Sequence, residues 1–97
     1  MTETGIKAIV LTEICELADK YHLDKVILFG SRARGDYKRV SDIDLAVIGG
    51  DIARFSLDVE EETSTLLKYD IVDLGKPVQK DLIASIKTEG VVLYEKI

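Results

Sequence analysis

The amino-acid sequence predicts an α+β (mixed α/β) fold, in which helices flank a small mixed sheet of about four strands. Two observations support this prediction. Segments whose apolar residues recur at helical spacing alternate with short apolar runs bounded by turn residues. The resulting order is helix, strand, turn, strand, helix, strand, helix and strand. With 97 residues, 46% of them hydrophobic, the chain suits a single globular domain over residues 1–97.

The predicted fold begins with a helix over residues 6–22 and a strand over residues 25–29. The helix is indicated by apolar residues at helical spacing, namely Ile6, Ile9, Val10, Ile14, Leu17 and Ala18. The next run is short and apolar and ends at Gly30, which is typical of a buried strand. The predicted first strand therefore ends immediately before residues 30–48, which carry most of the candidate functional residues.

A short turn and a loop lead to the second strand. Ser31 is expected to cap a helical turn that runs through Arg34 and ends at Gly35. Residues 36–41 are polar and are predicted to form a loop. Residues 42–48 are predicted to form the second strand, since an apolar run there is stopped by two glycines.

The second half of the chain repeats the alternation of helix and strand. Asp51 is expected to cap a helix that continues to about Lys68, and residues 69–74 form the third strand. A last helix over residues 78–89 and a short strand over residues 91–94 complete the prediction. The inner side of the helix after Asp51 is expected to carry Ile52, Phe55, Val59, Thr63, Leu66 and Leu67.

Composition excludes several classes of function. The net charge is −5, which argues against a broad electrostatic grip on nucleic acid, and no apolar run approaches membrane-spanning length. One cysteine and no basic leader segment at residues 1–4 indicate a cytoplasmic protein. Basic residues nevertheless cluster locally, which suits a small polyanion better than a long one: Arg32, Arg34, Lys38 and Arg39.

The turn after the first strand is a candidate phosphate site. Gly30 lets the backbone approach a ligand without an intervening side chain. Ser31 offers a hydroxyl and a backbone N–H at the start of a helical turn, where the dipole favours phosphate. A Gly-Ser pair after a strand is also a common ordinary turn, so this feature gains weight only from its neighbours.

Two carboxylates follow the turn at alternate positions. Asp42 and Asp44 enter a strand whose residues 45–48 are continuously apolar, so the strand is predicted to be buried on both faces. Acids at the edge of such a strand repel each other and are costly to desolvate unless a cation joins them. They are therefore candidate ligands of a divalent metal, although acids at a strand start can also simply face water.

A third carboxylate would complete a metal-dependent phosphoryl-transfer site. The third strand offers Asp70 and Asp73, which lie on opposite faces because side chains alternate along a strand. Asp70 is favoured because it sits at the strand entrance, as Asp42 and Asp44 do. Asp73 remains the alternative.

The basic loop has two interpretations. Arg34 and Lys38 are candidates for neutralising phosphate charge because they flank the Gly-Ser turn and the acids. Exposed Arg and Lys are more commonly solvated, and Arg34 could instead pair with Asp36. Both interpretations stay open from the sequence alone.

The combined pattern resembles a known family. Residues 28–35 (LFGSRARG) followed by residues 41–47 (SDIDLAV) resemble the minimal nucleotidyltransferase (MNT) family, within the DNA polymerase beta-like nucleotidyltransferase superfamily. The stretches 69–74 (YDIVDL) and 89–94 (EGVVLY) are also similar to that family. The resemblance implies the nucleotidyltransferase fold and Mg²⁺-dependent transfer of a nucleoside monophosphate to a hydroxyl. It implies that the Gly-Ser turn holds the triphosphate, and that Asp42, Asp44 and Asp70 are catalytic and bind two Mg²⁺ ions.

The resemblance also implies partners. Many members of the family act as antitoxins beside a HEPN-type helical partner, and some add AMP to a tyrosine of that partner. ATP is then the expected donor, and the helical partner toxin supplies the acceptor, with a homo-oligomer as another way to complete so small a site. The alternatives are a non-catalytic antitoxin that neutralises its partner by complex formation, and nucleotidyl transfer to a small molecule.

Overall fold

The computed structural model describes residues 3–97 as four strands and four helices. Met1 and Thr2 lie outside the described residues, and with them the first half of the segment 1–4 that is expected to contain no basic leader. The elements are α1 (Ala8–Lys20), β1 (Lys25–Phe29), α2 (Gly30–Arg34), β2 (Ile43–Ile48), α3 (Ile52–Glu62), β3 (Tyr69–Asp73), α4 (Lys80–Glu89) and β4 (Val91–Glu95).

The four strands form one mixed sheet in the order β3-β2-β1-β4. Strand β1 runs antiparallel to both β2 and β4, whereas β2 and β3 are parallel. Strand β2 is therefore internal, and Leu45, Ala46 and Val47 are completely buried on its two faces. The predicted mixed sheet of about four strands, with a doubly buried second strand, is confirmed.

Helices cover the two faces of the sheet unequally. Helices α1 and α3 pack together on one face over the larger core, which includes Ile14, Leu45 and Phe55. Helix α4 packs on the other face over a smaller cluster formed by Phe29, Ala46 and Ile86. Because side chains alternate along a strand, the even-numbered positions of β2 lie on the α4 face.

Helix α3 ends earlier than the sequence predicts. It stops at Glu62 rather than near Lys68, because Thr63 turns to an extended conformation (ψ 152°). The Thr63 hydroxyl contacts the Val59 carbonyl and the Tyr69 hydroxyl, the latter at 2.8 Å. The expected inward position of Leu66 is accordingly wrong, since that side chain is fully exposed.

The turn after β1 also differs in detail. Helix α2 begins at Gly30, with Phe29 at its N-cap and no side-chain cap, so the expectation that Ser31 caps it is wrong. Its predicted end at Gly35 is confirmed by the left-handed backbone there (φ 92°). The strand β2 begins one residue later than expected, which leaves Asp42 immediately in front of it.

The remaining boundaries shift by one or two residues at the ends of α1, β3, α4 and β4, where helices fray and strand pairing ends. Asp51 caps α3 as predicted, because its carboxylate accepts a hydrogen bond from the Arg54 backbone N–H at 3.2 Å. None of the helices within residues 3–97 has the length and apolar character needed to cross a membrane.

Candidate functional site

The end of β1 and the start of β2 meet because the two strands are antiparallel. Phe29 is paired with Asp44, so Gly30 lies directly beside the Asp44 carboxylate. Gly30 has a positive φ of 75°, and a Cβ atom at this position would overlap Oδ2 of Asp44. Glycine is therefore needed here for two reasons, its left-handed backbone and the close approach of a carboxylate.

The parallel pairing of β2 and β3 brings a second carboxylate to the same place. Asp44 is paired with Asp70, and the two side chains emerge on the same face of the sheet. Asp42 precedes β2 and is exposed, whereas Asp44 is half-buried. Three of the acids singled out in the sequence thus surround one end of the sheet.

The electrostatics of Asp44 reflect this crowding. Burial, followed by the nearby negative charges of Asp70 and Asp42, raises the pKa of Asp44 from 3.8 to about 6. The cations Arg34 and Arg32 oppose this shift only in part. A divalent cation shared by the carboxylates would relieve the same repulsion.

Asp73 is placed elsewhere. It is paired with Val47, three residues further along β3 than Asp70 and on the opposite face. Its Oδ1 accepts a hydrogen bond from the Gly75 backbone N–H at 2.8 Å, and it borders a depression together with Ser56 of α3. The geometry therefore brings Asp70, not Asp73, to the other two acids.

The basic residues separate into different environments. Arg34 donates from Nε to Asp36, at 3.2 and 3.3 Å, so the pairing left open by the sequence is present. It also donates from Nη1 to both carboxylate oxygens of Glu89, at 3.1 and 3.2 Å. Lys38 is exposed in the loop and, within residues 3–97, forms no ion pair.

Arg32 is not available for a ligand. Its side chain is 1% exposed and stacks on the Tyr37 ring, with the guanidinium carbon 4.8 Å from the ring centre. It donates hydrogen bonds to the carbonyls of Thr4 at 2.9 Å and Ser41 at 3.0 Å. Arg32 is a structural residue, although the sequence groups it with the other basic residues of the loop.

Sequence reasoning missed Glu89, which contacts both ends of the turn. It is the last residue of α4 and accepts a hydrogen bond from the Gly30 backbone N–H at 3.2 Å, in addition to those from Arg34. Its sequence signals are its place immediately before Gly90 and its inclusion in the family-like stretch 89–94, and neither links it to a particular partner.

The acids are chemically suited to Mg²⁺, which prefers carboxylate oxygens and keeps several waters. Asp42, Asp44 and Asp70 supply oxygen donors from two neighbouring strand starts. Within the described part of the chain, no three acidic, histidine or cysteine side chains form a ready-made metal cluster.

The chain also matches known proteins. The family described as "Polymerase beta, Nucleotidyltransferase" matches residues 12–97. A protein of Methanocaldococcus jannaschii named "Putative protein adenylyltransferase" is 36% identical over 89 residues, covering 80% of this chain and 87% of that protein.

Two solved structures are similar in fold and sequence. One is described as a toxin-antitoxin with AMP-PNP; it has a TM-score of 0.72 and 28% identity, covering 89% of this chain and 73% of that one. The other is a mutant of the toxin-antitoxin MntA-HpeT, with two Asp→Glu changes two positions apart. Its TM-score is 0.71 with 26% identity and the same coverage. The fold and these matches show that this chain belongs to the polymerase beta-type nucleotidyltransferase family.

Proposed function

We propose that this protein transfers AMP from ATP to a hydroxyl of a partner protein, a tyrosine of a HEPN-type helical toxin, and thereby acts as an antitoxin. The observation that carries the proposal is the meeting of Asp44 and Asp70 on adjacent parallel strands, directly beside the Gly30 backbone. The names of the relatives support the protein-adenylyltransferase and toxin-antitoxin parts of the proposal.

Each acid has a role in this proposal. Asp42, Asp44 and Asp70 would hold two Mg²⁺ ions, which neutralise triphosphate charge and stabilise the leaving pyrophosphate. Asp44 must be ionised to bind a cation, and a cation beside it would offset the burial and the charge repulsion that raise its pKa. Asp70, at the open end of β3, is exposed and can also face an incoming acceptor.

The transfer step follows from these positions. The acceptor hydroxyl oxygen attacks the α-phosphorus of ATP, a new P–O ester bond forms, and the bond from that phosphorus to the bridging oxygen breaks. Pyrophosphate leaves with the electron pair of the broken bond, and Asp70 accepts the proton of the hydroxyl. Holding donor and acceptor in line supplies much of the rate enhancement.

The turn after β1 is proposed to position the phosphates. The backbone at Gly30 and the hydroxyl of Ser31 lie at the end of β1, beside Asp44. Arg34 and Lys38 are proposed to add positive charge from α2 and from the following loop. Donors and cations of this kind stabilise the charge that develops on transferring phosphoryl groups.

The test is incubation with ATP labelled at the α-phosphate, Mg²⁺ and the product of the neighbouring gene as the candidate partner. The proposal predicts that the partner gains the mass of one AMP unit on a tyrosine and that EDTA abolishes the gain. No mass change with any nucleotide would contradict it.

An Asp42→Asn variant distinguishes catalysis from simple complex formation. The proposal predicts that this variant loses AMP transfer while still binding its partner, because Asp42 is exposed and precedes β2. Neutralisation of the toxin should then fail in cells. If the variant neutralises the toxin as well as the original protein does, the protein acts by binding alone.

A further inference from the structure

Glu89 places a carboxylate on the turn that the proposed function assigns to the triphosphate. One of its oxygens accepts from the Gly30 backbone N–H at 3.2 Å, and both accept from Nη1 of Arg34. Only 18% of the Glu89 side chain is exposed, against 45% for Arg34. A carboxylate of the protein itself therefore already accepts hydrogen bonds from two of the groups that would bind phosphate.

The position of Glu89 is unfavourable for an acid taken alone. The C-terminal end of a helix carries partial negative charge, which repels a carboxylate in the last turn. The following Gly90 allows this end of α4 to approach the sheet, since a Cβ there would overlap the Ile86 carbonyl and lie 2.7 Å from Ile27. The contacts with Gly30 and Arg34 offset the repulsion.

Asp36 provides a natural comparison. It also pairs with Arg34, at 3.2 Å, but 66% of its side chain is exposed. Exposed ion pairs of this kind contribute little, because water and salt screen them. Glu89 is thus the carboxylate whose contacts with the turn are more shielded from water, and it is the one that reaches the Gly30 backbone.

On the basis of the proposed function, we infer that Glu89 is an internal competitor of the nucleotide, which leaves the Gly30–Arg34 turn when the triphosphate binds. Carboxylate and phosphate oxygens accept hydrogen bonds from the same donors. Two anions cannot share those donors closely without repulsion. The occupancy of the turn by Glu89 therefore lowers the affinity of the protein for nucleoside triphosphates.

Calorimetric titration of the whole protein with Mg²⁺–ATP tests this inference. Glu89→Gln retains the size and one acceptor oxygen but removes the charge, and it should bind ATP about three- to tenfold more tightly. Inorganic tripolyphosphate should show the same gain, because the competition concerns the phosphates. The matched control is Asp36→Asn, which removes the charge of the other carboxylate paired with Arg34. It should change the affinity for ATP by less than about twofold.

The opposite result would identify Glu89 as a residue that only holds the turn in place. Equal or weaker ATP binding by Glu89→Gln overturns the inference, while ATP binding by the original protein still supports the proposed function. If neither protein binds ATP, both proposals fail. A measurement without any substitution is also decisive: saturating tripolyphosphate should shift the ¹³C resonance of the Glu89 carboxylate, and an unchanged resonance contradicts its displacement.

Discussion

Gly30 and Asp44 depend on each other at the scale of single residues. The carboxylate of Asp44 occupies the space that any side chain at position 30 would need, and the backbone of Gly30 is left-handed. The turn proposed to bind phosphate and the acids proposed to bind metal are therefore one packed unit. A change on either side should affect the other.

Gly30→Ala tests this coupling. The added methyl group should push Asp44 away and strain the backbone, which lowers the free energy of unfolding by about 1–3 kcal/mol. AMP transfer should fall about 10- to 100-fold through the displaced acid. Chemical denaturation and the transfer assay measure the two effects.

Gly35→Ala is the matched control, because Gly35 shares the left-handed backbone (φ 92°) on the exposed surface at the end of α2. It should lose stability through the backbone alone and retain more of its activity than Gly30→Ala. Equal loss of transfer in the two variants would argue against a special role for the contact with Asp44.

Asp44 should make stability depend on pH. Because its folded-state pKa is raised from 3.8 to about 6, the folded protein binds more protons than the unfolded chain in this range. The free energy of unfolding should consequently fall as the pH rises from about 4 to about 6. Asp44→Asn should remove this contribution and unfold at a higher temperature than the original protein above about pH 7.

Thermal unfolding in EDTA between about pH 4 and pH 8 measures this effect. The advantage of Asp44→Asn should shrink toward the acidic end, where the original carboxyl is protonated in the folded state and becomes partly protonated in the unfolded chain. Asp36→Asn controls for a general loss of negative charge. A variant less stable than the original protein above about pH 7 would show that Asp44 is not strained by its neighbours.

Arg32 and Arg34 show why single residues of the site were only partly predictable. Two positions apart in one basic run, they have the same chemistry in the sequence. The first is buried by the Thr4 carbonyl and Tyr37, and the second faces carboxylates. These partners are tertiary contacts, including one 28 residues away along the chain. The sequence therefore predicts a basic turn, but neither the burial of Arg32 nor the contact of Arg34 with Glu89.

Arg32 acts at the scale of elements, since it fixes the loop between α2 and β2. Its guanidinium joins the N-terminal segment to this loop through the carbonyls of Thr4, Arg39 and Ser41. The loop also contains Lys38 and ends at Asp42, directly before β2. The conformation of this loop therefore depends on the buried side chain of Arg32.

Arg32→Ala should leave the buried Thr4 carbonyl and several part-buried loop carbonyls without a donor, and lower the free energy of unfolding by about 2–4 kcal/mol. Arg39→Ala removes an exposed side chain from the same loop and should stay within about 0.5 kcal/mol of the original. Chemical denaturation compares the two. Equal stability of both variants would contradict a structural role for Arg32.

The elements themselves were largely predictable because their signals are local. Residues 26–29 and 45–48 are continuous apolar runs, and the structure places both in interior strands. The end of α3 was not predictable in this way. It depends on Tyr69, which bonds Thr63, and on Glu13, which accepts a hydrogen bond from the Ser64 backbone at 2.7 Å. Contacts of single side chains, one of them with a residue 51 positions away along the chain, leave no periodic signal in the sequence.

At the scale of the whole molecule, topology assembles the site. The antiparallel pairing of β1 and β2 brings Gly30 to Asp44, and the parallel pairing of β2 and β3 brings Asp70 to the same end. An antiparallel β3 would have carried Asp70 to the far end of the sheet. The favoured choice of Asp70 over Asp73 thus depends on a strand direction that the sequence alone does not specify.

The most direct measurement of the central claim is the rate of AMP transfer to the proposed helical partner by two variants of strand β3. Asp70→Asn removes the acid paired with Asp44 and should reduce the rate by about 10²- to 10⁴-fold. Asp73→Asn changes an acid of the same strand on the opposite face and should stay within about threefold of the original rate. Loss of transfer in Asp73→Asn with retention in Asp70→Asn would contradict the site described for this protein.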